Sequence, residues 1–108
     1  MGRLLYGAPA SAHRFEDRTL AHLQSVITAR FRRGEGFLLT TTDEDGRPAE
    51  LWLHPAIATR YEYDGAERHD LNPHWLRALT AASHGRFGLH ALPEVENAPD
   101  PRARRTTA

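Results

Sequence analysis

The chain is 108 residues long, the length of one small domain with no room for a second. Its 14 basic residues balance 14 acidic ones, so no whole-molecule field draws it onto nucleic acid or an anionic membrane. Cys is absent and every basic residue is Arg, which excludes disulfides, a thiol nucleophile, Cys-ligated zinc and all lysine chemistry.

Near the start, Leu4-Leu5-Tyr6 is cut off by Gly7 and Pro9, too short for a secretory apolar region. No window approaches the ~20 apolar residues needed to cross a bilayer. The reading is a cytoplasmic protein without membrane contact. Residues 3–6 and 13–15 flank a Gly/Ala/Pro/Ser stretch and predict an N-terminal hairpin. A helix is predicted over 17–33, where Leu20, Leu23, Ile27 and Phe31 recur at spacings of three and four beside Val26. Acidic residues open it, arginines close it, and Gly34 suits the left-handed position after its end.

Two strands follow, 37–42 and 47–54, joined by the acidic turn Asp43-Glu44-Asp45-Gly46. Leu38-Leu39 and Leu51-Trp52-Leu53 are apolar on both faces, as central strands are. Pro55 ends the second strand, and residues 57–63 alternate as a third. A second helix is predicted to start with Asn72 as N-cap and Pro73 in its first turn, with Leu71 and Leu76 as a hydrophobic staple and Gly85 as its stop. Trp75, Leu76 and Leu79 form its inward face, and residues 87–92 predict a last short strand.

The order ββαβββαβ predicts an α+β fold, a small antiparallel sheet with two helices packed on it. Residues 1–92 form that single domain. Residues 93–108 hold three of the seven Pro and one large apolar residue, which predicts a disordered tail.

Candidate chemistry is sparse. The seven His have no zinc spacing, His69 and His74 being the nearest pair, so surface or capping roles and no metal are expected. His54, ending an apolar strand beside Trp52, stands at a rim where sites form, but spacing specifies no partner for it. Arg30, Arg32 and Arg33 cluster at a helix end, and Arg102, Arg104 and Arg105 in the tail; together they are the candidate anion or nucleic-acid contacts. The helix macrodipole alone also accounts for the first cluster.

Two resemblances add to this reading. The segment Gly36-Phe37-Leu38-Leu39-Thr40-Thr41-Thr42-Asp43-Glu44-Asp45-Gly46-Arg47-Pro48, after a helix, resembles the first hairpin of flavin-binding split-barrel proteins related to pyridoxamine phosphate oxidase. That resemblance implies FMN binding without placing its phosphate contacts. More of the chain is covered by a second likeness. Leu5-Tyr6-Gly7, Asp17-Arg18-Thr19-Leu20-Ala21-His22-Leu23, Arg32-Arg33-Gly34-Glu35-Gly36-Phe37, Leu51-Trp52-Leu53-His54-Pro55-Ala56-Ile57, Leu71-Asn72 with Trp75, and Leu92-Pro93-Glu94 follow in order. They resemble a family of short uncharacterised actinobacterial proteins that automated pipelines often label "ATP-dependent DNA ligase". No lysine is present to take an adenylate, and 108 residues are short for the domains a ligase needs, so a stand-alone ligase is not expected.

The leading expectation is a non-enzymatic, self-associating interaction module with no cofactor. Its contacts are Trp52, Tyr61, Tyr63 and Trp75, since aromatics dominate interface energetics. The same four residues equally suit a monomer core. The alternatives are a nucleic-acid accessory protein using the Arg clusters, and an FMN-binding split-barrel-like protein.

Overall fold

The stripe Leu20, Leu23, Val26 and Ile27 folds as the buried face of α1 (Asp17–Arg32). Its end is as expected, with Arg33 as C-cap and Gly34 at φ +72°, a conformation that costs other residues about 1–2 kcal/mol. The computed structural model describes residues 1–96; the rest of the expected tail, with Arg102, Arg104 and Arg105, lies outside the described residues. Within them the fold is α+β, with two helices and five antiparallel strands in two small sheets. Among the described residues no helix is long and apolar enough to cross a membrane.

The N-terminal hairpin is β1 (Gly2–Tyr6) with β2 (Ser11–Phe15), Leu4 opposite His13. The second is β3 (Phe37–Thr42) with β4 (Pro48–Leu53), Phe37 opposite Leu53. Asp43 accepts the Asp45 and Arg47 N–H groups with its carboxylate, closing the acidic turn between them. A single sheet would continue from β4 into β5 (Thr59–Glu62), but it does not. Ile57 N–H bonds back to His54 C=O, and this turn after Pro55 swings the chain away. β5 therefore pairs with β1, Leu4 opposite Tyr61, giving the sheets β2-β1-β5 and β3-β4. The predicted third strand, 57–63, is shortened to 59–62, with Ile57 taken up in closing that turn.

α2 (Pro73–Ser83) begins as predicted. Asn72 Oδ1 accepts the N–H groups of His74 (3.0 Å) and Trp75 (3.3 Å), and Pro73 sits in the first turn. Leu71, the expected staple, remains 46% exposed. Leu4, Phe15, Phe37, Leu39, Leu53, Trp75, Leu79 and Leu89 close the core around the α1 stripe.

The last predicted strand is reduced to one parallel bridge, Leu89 to Leu39. Gly88 is the reason. Its φ of +73° breaks strand alternation, and Gly88 N–H turns back to Gly85 C=O. Only Leu89 joins β3, its N–H to Leu38 C=O and its C=O to Thr40 N–H, both at 2.8 Å.

Gly88→Ala tests this turn. An added Cβ meets the Leu38 backbone carbonyl inside contact distance and its Cβ at 2.8 Å, besides demanding positive φ. Urea denaturation is expected to show a loss of about 2 kcal/mol or more.

Candidate functional site

The four aromatic residues singled out from the sequence do not form one surface. Trp75 is 3% exposed, a core residue and not an interface contact. Tyr61 on β5 and Tyr63 just after it are half-buried and pack against the core. Burial raises both phenols above their usual titration range, and the Tyr63 hydroxyl donates to Gln24 Oε1 on α1. Trp52 alone faces outward, 62% exposed.

Its surroundings make an outer face. Register puts Trp52 opposite Leu38 and Glu50 opposite Thr40, on the side of the β3-β4 sheet away from Phe37, Leu39 and Leu53. The indole lies over Gly36, where an added Cβ would come within 2.9 Å of its Nε1. Beyond β3, Gly88 abuts Leu38, and Phe87 beside it is 71% exposed. Phe87 and Trp52 thus flank β3. The pairing strand is held by Tyr6, whose hydroxyl donates to Trp52 C=O (2.6 Å) and accepts His54 N–H (3.0 Å). Nothing local to Tyr6 signals that role, because its partners lie 46 and 48 positions away.

His54 is exposed, and its Nδ1 accepts Ala56 N–H at 3.0 Å, which builds the turn after β4. Among the described residues no three His, Asp or Glu stand close enough to hold a metal ion. The expectation of surface or capping roles fails for two of the seven His. His13 is buried, its Nδ1–H donating to Thr42 C=O (3.0 Å) while Nε2 accepts the Ser11 hydroxyl (2.9 Å). His22, also buried, belongs to the network around Trp75.

The arginine cluster is divided too. Arg30 is not an open anion contact: it is buried, donating from Nε to Glu35 (3.0 Å) and from Nη1 to Ser83 Oγ (2.8 Å). Its guanidinium also lies 4.7 Å from the Phe37 ring centroid. Arg32 and Arg33 remain exposed. A groove of about 800 Å³ lies on the outer face of the other sheet, along Arg3, Arg14, Arg60 and Glu62. Its arginines are matched by acids: Arg3 with Glu62 (2.6 Å) and Glu44 (3.4 Å), Arg60 with Glu62 (3.1 Å).

Around Trp75 the first residues of the expected tail are tied down. Trp75 Nε1 donates to Leu92 C=O at 3.1 Å, and the His22 ring stacks on the indole with centroids 4.3 Å apart. Arg18 grips both oxygens of Glu94 (2.7 and 2.8 Å), and Asn72 Nδ2 donates to Glu94 (3.0 Å) and Val95 C=O (2.6 Å). Residues 92–95 form a strap over the α1–α2 junction. Both donors hold the Glu94 carboxyl down to about 2.

Residues 1–94 match the family model described as "Domain of unknown function (DUF7882)", and the chain belongs to that family. No curated protein and no solved structure matches it.

Two substitutions test these contacts. Tyr6→Phe removes the hydroxyl that serves Trp52 and His54, and urea denaturation is expected to show a loss of about 1 kcal/mol. Glu94→Gln acts through pH. A carboxyl held below its ordinary 4.5 stabilises the fold above that value and loses its effect as the pH falls towards 2. Thermal scans from pH 7 to 2.5 should therefore show a lower Tm for the variant at neutral pH and convergence with wild type in acid.

Proposed function

We propose that this protein is an interaction module that pairs with a second copy of itself across the outer face of the β3-β4 sheet, acting by contact and not by turnover. The observation that supports this reading is Trp52, held in a strand and left 62% exposed. Covering the open part of an indole, on the order of 150 Å², is worth about 3–4 kcal/mol at ~25 cal/mol per Å². An isologous pair gains that twice.

The chemistry of the face favours a copy of this chain over a nucleic acid. Neither β3 nor β4 carries a basic residue, so the face itself offers no cation to phosphate. Its border holds both signs, Glu50 on β4 and Arg86 beside Phe87, which suits an identical partner. With 14 cations and 14 anions, two copies meet without long-range repulsion.

Light scattering over a concentration series is the test. The wild-type mass is expected to rise from 12.2 kDa towards twice that value. Trp52→Ser should leave the Tm nearly unchanged and move the rise to roughly tenfold or more higher concentration. A mass fixed at 12.2 kDa throughout would overturn the reading.

A further inference from the structure

His22 sits fully buried between α1 and the start of α2. Its Nδ1 faces Arg18 C=O at 2.8 Å and its Nε2 faces Asn72 N–H at 2.8 Å. A carbonyl only accepts and an amide N–H only donates, so the ring is neutral with its proton on Nδ1. Asn72, held by that bond, is also the residue that caps α2 and ties down Glu94 and Val95. One backbone N–H therefore links the imidazole to the strap.

A proton added at Nε2 sets N–H against N–H. Burial opposes the charge most; the Arg18 carbonyl bonded to Nδ1 favours it, while the Arg18 guanidinium and His69 in the loop before α2 oppose it. Glu94, on the strap, favours it. Its oxygens, however, already serve Arg18 and Asn72 Nδ2. The imidazolium gains an acceptor only by drawing Glu94 from those partners, or it displaces Asn72 outright. Both routes loosen the strap.

We propose that His22 is a proton-operated latch: a proton on Nε2 displaces the Asn72 N–H, and residues 92–95 lift off the α1–α2 junction while the rest of the fold persists. Lifting uncovers the Trp75 edge that Leu92 C=O now covers. The direction follows from burial, which lowers the imidazole below its ordinary 6.5. The closed form is fully favoured above pH 6.5 and weakens as the pH falls below it. The latch is independent of the Trp52 face.

An NMR titration of the full chain from pH 7.5 to 4.5 tests this. The His22 ring is expected to titrate below 6.5, and the Asn72, Glu94 and Val95 amides to shift with the same midpoint. The Leu4 and Leu39 amides should keep their protection from hydrogen exchange. While the strap is closed Glu94 itself titrates near 2, below the range scanned. His22→Gln, which offers an acceptor without titrating, should abolish the shared shift of the strap amides. If that variant fails to fold, the wild-type midpoints still decide. Strap amides that ignore the His22 midpoint, that move only as Leu4 and Leu39 lose protection, or that titrate unchanged in His22→Gln would overturn the proposal.

Discussion

Asn72 joins three parts of the molecule with one short side chain and one amide. Its N–H goes to His22 on α1, its Oδ1 to the first amides of α2, and its Nδ2 to the C-terminal strap. At 4% exposure it sits where an unpaired amide would cost about 1–3 kcal/mol. All of its capacity is used. The other buried polar side chains follow the same rule, and among the described residues no buried side-chain nitrogen or oxygen lacks a partner. His13 joins β2 to the end of β3, and Arg30 with Ser83 joins α1 to α2. Apolar burial supplies the bulk of the driving force, while these bonds decide which elements lie against which.

What was legible from the sequence is what depends on near neighbours. Leu20, Leu23 and Ile27 mark the helix, Asn72-Pro73 the start of the next, and Gly34 the end of the first. Each signal works within about one turn of helix. Trp52 and Trp75 show the limit. Trp75 sits on the inward face of α2 and is covered, while Trp52, in the run Leu51-Trp52-Leu53, is turned outward by its register on β4. The next strand is led away to β1, by way of the His54–Ile57 turn and with β4 tied to a Tyr6 hydroxyl far away in the chain. Likewise Arg30 reads as one of three clustered cations until Ser83, 53 positions on, claims it. The strap is hidden in the sequence for the same reason: composition gives Glu94 no role, and Arg18 is 76 positions distant.

Splitting the strands into two sheets has a cost at the surface. A sheet of two strands and one bridge cannot cover both its faces, and the helices take only the inner one. The outer face keeps Trp52 and Phe87 in water, although the aromatic residues lining the core show that this chain buries rings where packing allows. Gly36 makes the arrangement specific. A side chain there would push the indole out of its seat, so glycine fixes how the Trp52 ring is presented.

The contrast between the two outer faces is electrostatic. On the β2-β1-β5 sheet, Arg3 is shared between Glu62 and Glu44, and Arg60 leans on Glu62. Exposed pairs of this kind contribute little to stability, about 0–1 kcal/mol each. Their larger effect is on recognition. A phosphate entering that groove must first separate arginines from carboxylates already within 2.6–3.4 Å, and then meet those carboxylates itself. The β3-β4 face requires no such exchange, since water is all that leaves when its rings are covered. An anion entering the β2-β1-β5 groove thus has ion pairs to break, whereas covering a ring on the β3-β4 strands breaks none of these.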